Sequence, residues 1–452
     1  MKPITNFLLI CLLLYSCTKS TAPEIPINPS LSNIKHQIDG EYTKISRSEY
    51  KEKLYGFWLG QSIANWTGLI TEMDKIGNIG EIKTGDFYTR KDWGQPDQSS
   101  IWAEGIPSDL SPTIDFIFAD PDSVWGADDD TDIEYIYQEL LLAHNTSALS
   151  SEQIRDGWLK HIKAEEENYL WVSNQKAFDL MKEGMLPPAT SNPENNEHYA
   201  MIDAQLTTEI FGLYAPLNSI KSLEMASLPI RTSASGEAAE IAEFYVRMYN
   251  GFSYAEDKSA WEIIKSNAIT ARIQMEDSAY PAKMFDFVKN QFESGKTWEE
   301  TRDLIYQRYQ VEELDGYDIT TQNLYCNGCF AAGINYAASL ISLFYGEGDF
   351  KETVKIAALC GWDSDNPAAT WGGMLGFHLG QNALEKTFGR EFSDKFNIHR
   401  TRQGFPNNGI DTFDDMAKKG VWVVDRVVTH ELRGAISTNG DYWLIPKNNS
   451  YE

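Results

Sequence analysis

From about residue 47 onward, apolar positions recur with a helical period. Ile133, Ile136, Tyr137, Leu140 and Leu141 fall on one face of a helix. Segments 151–170, 236–250, 258–274, 282–294 and 297–310 show the same spacing, and Thr297 with Glu300 forms the capping-box pattern that opens the last of them. Gly333–Phe344 and Ala368–Leu379 are apolar and rich in small residues, which predicts central helices packed on every side. Strand-like alternation is sparse. Thr438-Asn439-Gly440 separates two short apolar runs and predicts a hairpin near 433–446. No linker or composition shift divides the body, and no clear internal repeat emerges. The pattern predicts an all-α fold, one compact multi-helix domain over residues 47–435, with a C-terminal hairpin or tail over 436–452.

The N-terminus departs from this pattern. Lys2 precedes an apolar stretch from Phe7 to Tyr15, too short to span a bilayer but suited to a signal-peptide core. Leu14-Tyr15-Ser16-Cys17 resembles a bacterial lipobox, with Tyr15 bulky for its position. Residues 1–16 are therefore expected to be a lipoprotein-type signal peptide and Cys17 the lipidated residue, with a plain secretory signal as the alternative. Residues 17–46, rich in Thr, Lys, Ser, Pro and Asn, read as a tether. The expected setting is an exported protein held to a bacterial membrane by its lipid anchor alone, at the periplasmic face or the cell surface.

Five cysteines occur in the chain. Cys11 goes with the signal and Cys17 with lipid, leaving Cys326, Cys329 and Cys360. An odd remainder argues against a disulfide framework. Cys326-Asn-Gly-Cys329 lacks the second pair or histidines of a zinc site, and we read it as small residues opening a tightly packed helix, with a redox pair as the alternative.

Charge narrows the function. Against 39 Lys+Arg stand 66 Asp+Glu, a formal net charge of -27 over 452 residues. Such a surface repels phosphate backbones, which excludes a sequence-independent nucleic-acid binder. Part of the acidity is concentrated. Asp128-Asp129-Asp130-Thr131-Asp132 runs into the helix that contains Ile133, and Asp363-Ser364-Asp365-Asn366-Pro367 runs into the Ala368 helix with Asn366 as the expected N-cap. A helix start accounts for one acidic residue in each, through the dipole. Consecutive carboxylates repel and raise one another's pKa, an arrangement that water or a bound cation relieves. Hard oxygen donors with no adjacent histidine suit Mg²⁺ or Mn²⁺, allow Ca²⁺ and disfavour Zn²⁺. An EF-hand register from Asp120 fails, because Thr131 stands where glutamate is required.

Three blocks together resemble the ADP-ribosylglycohydrolase family, of the dinitrogenase-reductase-activating glycohydrolase type. Gly56 to Glu72, with glycines at 56, 60 and 68, is similar to its opening glycine-spaced helix. Gly126–Asp132 resembles its Thr-Asp-Asp-Thr block, and Cys360–Asn366 its Gly-Gly-Asp-Thr-Asp-Thr block. The resemblance implies an all-α fold with two Mg²⁺ (or Mn²⁺) ions in a central cleft. It implies Asp128, Asp129 and Asp130 as ligands from one side and Asp363, Asp365 and Asn366 from the other. Glu72 falls where some members carry a catalytic acidic residue. Asp128 and Asn366 replace threonines, and Asn65 replaces an aspartate common in the opening helix.

Such a site implies metal-assisted glycosidic cleavage, with cations chelating vicinal sugar hydroxyls and a carboxylate as general acid/base. Glu72 is the expected acid/base, and Asp129 or Asp130 doubles as ligand and water-orienting base. Trp125 and Trp362 adjoin the clusters, where they either stack on substrate or pack beneath the metal loops. Arg400 and Arg402 read as surface charges, and histidines such as His144 and His378 as ordinary. The expected partner is a small-molecule or glycan substrate with vicinal hydroxyls. Two function classes stand: an exported hydrolase of an N- or O-ribosyl-like glycosidic bond, and a surface lipoprotein that binds glycans without cleaving them. The second suits the 13 tryptophans but leaves the acidic clusters unexplained.

Overall fold

The computed structural model describes residues 25–447 except 103–107, 109, 165–167, 255–257 and 323. The expected signal peptide, 1–16, and the expected lipidation site, Cys17, lie outside the described residues.

Helices dominate. They are α1 (Arg47–Gly68), α2 (Asp129–Ala143), α3 (Ser151–His161), α4 (Val172–Lys182), α5 (Phe211–Tyr214), α6 (Ser219–Ile230) and α7 (Gly236–Phe252). There follow α8 (Ala260–Arg272), α9 (Tyr280–Glu293), α10 (Trp298–Ile305), α11 (Ala332–Tyr345), α12 (Phe350–Cys360), α13 (Asp365–Phe388) and α14 (Phe413–Arg426). Two small three-stranded sheets complete the fold. β1 (Tyr42–Ser46), β6 (Tyr442–Pro446) and β5 (Ala435–Ile436) form an antiparallel sheet in the order β1-β6-β5. β2 (Trp125–Gly126) runs parallel to β3 (Lys395–Asn397), which pairs antiparallel with β4 (Ile410–Thr412). The hairpin expected near 433–446 is β5–β6. Among the described residues no helix is long and apolar enough to cross a membrane.

The centre of the molecule is α1 lying against α13, and glycine sets their separation. A Cβ on Gly60 would sit 2.4 Å from the Gly372 carbonyl oxygen, and one on Gly56 2.2 Å from that of Gly376. A Cβ on Gly68 would sit 2.3 Å from Cα of Asp365. Main chain therefore meets main chain along the pair, and the C-terminal end of α1 is pressed against the N-terminal end of α13.

Some expectations change. The helix foreseen over 151–170 stops at His161, and the one over 297–310 is α-helical only to Ile305 before a π-helical turn over Tyr306–Val311. The N-cap position of α13 is Ser364, not Asn366, which is already inside the helix. The described part of the expected tether, 25–46, is packed on the body. Arg47 and Asp425 form a buried ion pair at 2.8 Å, and Arg47 Nη1 also donates to the Ile25 carbonyl at 2.8 Å. Asn28 N–H donates to Asp425 Oδ2 at 3.0 Å, and β1 pairs with β6 along its whole length. Cys326 and Cys329, expected to be free, are joined by a disulfide, while Cys360 is buried and free. One bridge between near neighbours in sequence is not a framework, and an odd number of cysteines does not bear on it.

Candidate metal centre

Three chain segments meet at the α1–α13 crossing. The first is the turn after α1, which carries Glu72. Thr71 Oγ1 donates to the Ala358 carbonyl and lies 3.0 Å from Ser364 Oγ, which in turn donates to the Gly68 carbonyl at 3.0 Å. Met73 N–H donates to Trp362 O at 2.9 Å and Trp362 N–H to Lys75 O at 2.8 Å. Met73 and Trp362 both occupy the left-handed region, with φ 57° and 58°. Gly361 (φ 101°) has no room for a Cβ beside Lys75 O. These constraints hold Glu72 next to Asp363.

The second segment is the start of α2. Pairing of Trp125 and Gly126 with Phe396 and Asn397 delivers the loop, and Asp128 N–H donates to Thr131 Oγ1 at 2.9 Å. The third is the α12–α13 loop itself, whose Asp363 N–H donates to Asn335 Oδ1 at 3.2 Å.

The result is two carboxylate triads that share one member. Glu72, Asp363 and Asp365 each bring an oxygen within 4.8 Å of the others, and so do Asp128, Asp130 and Asp365. Asp129 belongs to neither triad, though its charge raises the pKa of both Asp363 and Asp365. Asn366 Nδ2 donates to Asp130 Oδ1 at 2.9 Å.

Electrostatics without a cation are unfavourable. Burial pushes Asp130, Asp363 and Asp365 well above the usual carboxylate range, and the neighbouring carboxylates add to it. Glu72 is pushed up to about 8 by burial and by the charge of Asp128. Three buried oxygens, Asp365 Oδ1, Asn366 Oδ1 and Asn65 Oδ1, have no hydrogen-bond donor. An unpaired buried acceptor costs on the order of 1–3 kcal/mol, and hard oxygens in this number and spacing fit a divalent cation.

Two residues at the centre were not foreseen as site residues. Asn65 Nδ2 donates to Asp128 Oδ2 at 3.2 Å and to Asp365 Oδ2 at 3.5 Å, bridging the two clusters from α1. Arg400 Nη1 donates to Asp128 Oδ1 at 2.9 Å and to the Ala127 carbonyl at 2.6 Å. Arg400 is partly exposed but paired, whereas Arg402 is no surface charge: it is fully buried and pairs with Asp132, Nη2 donating to Oδ1 at 2.9 Å. No pattern local to Arg400-Thr401-Arg402 marks these arginines as partners of aspartates some 270 positions away.

Trp125 and Trp362 are both fully buried, which leaves no ring face for substrate. Trp125 donates to the Ser393 carbonyl at 3.0 Å and Trp362 to Gln310 Oε1 at 2.7 Å. They pack beneath the acidic loops, so the stacking role is withdrawn.

No curated protein matches the chain. A solved structure, described as an ADP-ribosylglycohydrolase-related protein complex, is similar to it at 14% identity and a TM-score of 0.47, covering 84% of this chain and 99% of its own. The family model of ADP-ribosylglycohydrolase matches residues 46–409, a span that takes in all three acidic segments. The chain belongs to the ADP-ribosylglycohydrolase family.

Proposed function

We propose that this protein is an exported, divalent-metal-dependent hydrolase of an N- or O-ribosyl-like glycosidic bond. The observation that carries the reading is the pair of triads joined at Asp365, one of them including Glu72, inside a chain of this family. Bound Mg²⁺ or Mn²⁺, one per triad, would supply charge to grip vicinal hydroxyls and to polarise the attacking water. Asp128, Asp130, Asp363, Asp365 and the Asn366 carboxamide oxygen would hold the ions.

The remaining work belongs to the chain's own groups. Glu72 protonates the leaving atom or takes a proton from water at its carboxyl oxygen, as the acid/base step of glycoside hydrolysis requires. Asp129, outside both triads but close to them, orients the water. Asn65 and Arg400 position Asp128, so that its carboxylate keeps one orientation as substrate enters. The Cys326–Cys329 bridge supports an exported setting, because disulfides persist in oxidising compartments. Lipid attachment at Cys17 is the corresponding proposal for the anchor.

The test is release of free sugar from ADP-ribosyl, nucleoside and furanoside substrates, with and without chelator. Metal-dependent release by the wild type is expected, with loss of at least about 10²-fold in Glu72→Gln while metal still binds. Unchanged turnover in Glu72→Gln removes its role, and absence of metal binding in the wild type sinks the metal-dependent reading.

A further inference from the structure

The exposed aromatic side chains of this protein are not scattered. Among the described residues four large aromatics stand out in solvent: Tyr42, Trp102, Trp171 and Tyr325. Three of them converge. Trp102 lies nearly parallel to Trp171, with ring centres 6.3 Å apart and planes at 16°. On its other neighbour, Phe330, the values are 6.1 Å and 19°, and Phe330 continues to Tyr325 at 5.9 Å and 17°. Trp102, Trp171 and Tyr325 are 43%, 51% and 55% exposed. Centres this far apart mean that the rings are offset and only partly cover one another. Exposure of this much contiguous aromatic surface costs solvation and marks a contact site.

The array is held rigidly. Trp102 Nε1 donates to the Tyr325 hydroxyl at 2.8 Å. Tyr325 precedes a turn in which Cys326, Asn327 and Gly328 all have positive φ, closed by the Cys326–Cys329 disulfide. Trp171 precedes α4, whose start is tied down by buried Asp203: its carboxylate accepts from Ser173 Oγ at 2.8 Å and from Asn174 N–H at 3.1 Å. Ile202, next to Asp203, donates its N–H to the Phe330 carbonyl at 3.0 Å.

The array is also continuous with the acidic centre. Ile101 N–H, beside Trp102, donates to the carbonyl of Met73, the residue after Glu72. Asn335, which accepts from Asp363 N–H, donates to the carbonyl of Cys329 at 2.8 Å. Beside Tyr325 opens a cavity of about 820 Å³ whose lining includes Lys75, Glu81, Lys83, Gln98 and Ser100. Of the stacked rings Tyr325 alone lines it, and its amide, hydroxyl and charged side chains suit a ligand rich in hydroxyls. A row of several rings is longer than one base or one sugar requires.

We infer that Trp102, Trp171 and Tyr325, over Phe330, form a glycan-binding platform that holds successive sugar rings of an oligosaccharide beside the carboxylate centre. Resting on the hydrolase reading, this makes the substrate class a glycan, with the platform holding the part of the chain next to the cleaved bond.

The test is affinity electrophoresis of the full exported chain in gels containing arabinan, xylan, galactan or glucomannan, with adenosine quenching of tryptophan fluorescence as a parallel arm. At least one polysaccharide is expected to retard the wild type. Trp102→Ala and Trp171→Ala, with unchanged melting temperature, should each weaken binding about two- to tenfold, and Trp102→Phe should restore part of it. Trp102→Ala should bind Mn²⁺ in calorimetry like the wild type, which separates this inference from the metal-centre reading. No retardation by any polysaccharide, or equal retardation of Trp102→Ala, overturns the platform. Adenosine quenching that depends on Trp102 without any polysaccharide effect replaces it with a base-stacking site.

Discussion

Asn366 Nδ2 donates to Asp130 Oδ1 at 2.9 Å, a bond between residues 236 positions apart in the chain. It fixes the carboxamide so that its oxygen, buried and without a donor, is left for another partner. One side chain thus orients a carboxylate of the first acidic segment while contributing an oxygen from the second. Asn366→Ala removes both functions, and Mn²⁺ affinity measured by calorimetry is expected to fall about 10- to 100-fold, the usual cost of losing a group that orients a ligand.

Because Asp365 is common to both triads, its loss and the loss of Asp363 should differ. Asp365→Ala is expected to abolish binding at both positions, whereas Asp363→Ala should leave one Mn²⁺ per chain. Thermal unfolding gives an independent readout. Metal at about 100 times its Kd raises wild-type stability by about 2.7 kcal/mol for each site filled, chelator removes that gain, and Asp365→Ala shows none of it.

Gly60→Ala places a methyl group 2.4 Å from the Gly372 carbonyl oxygen, main chain that cannot swing aside. The helices must separate, at a cost of about 1–3 kcal/mol in denaturant unfolding. Metal affinity should fall in parallel, since the same contact brings Asn65 and Asp365 together. Lost stability with unchanged affinity would break the link between helix spacing and the site.

Much of this was legible in the sequence, and for a stated reason. Helical periodicity reports which faces are buried, so α2 and α7 emerged from spacing, and the central α11 and α13 from runs of apolar and small residues. The two acidic runs were visible because carboxylates next to one another are costly and need an explanation. Their partners were not visible. Arg400 and Arg402 sit some 270 positions from Asp128 and Asp132, and no local pattern tells a paired arginine from a solvated one. Likewise Trp102, Trp171 and Tyr325 are unremarkable one at a time. Only the fold places them in one row.

The Arg402–Asp132 pair offers a direct check on that lesson. Both side chains are fully buried. Arg402→Met leaves an uncompensated buried carboxylate and should cost about 3–5 kcal/mol. Asp132→Asn in the same chain should recover part of the loss, giving a clear coupling energy in a double-mutant cycle. Additive losses would mean that the pair is solvated.

Asp203, under the aromatic row, sets a pH dependence. Burial pushes its carboxyl up to about 6, against the opposing bonds from Ser173 and Asn174. With the folded value above the unfolded one, folding takes up a proton between about pH 4 and 6. Its contribution to stability is therefore greatest below about pH 4 and declines as pH rises to about 6, by roughly 3 kcal/mol in total. Asp203→Asn should flatten this part of the curve of unfolding free energy against pH; an unchanged slope would exclude Asp203 as its source.

The backbone contact between α1 and α13 separates two things that most active sites keep entangled. The frame is specified by residues with no side chain, and the chemistry by acidic and amide groups hung at its ends. The acidic and amide side chains at its ends can then change without moving the frame, whereas a Cβ on Gly56, Gly60 or Gly68 would meet main chain. Substitution at this site is thus free to alter its chemistry and barred from altering how the two halves meet.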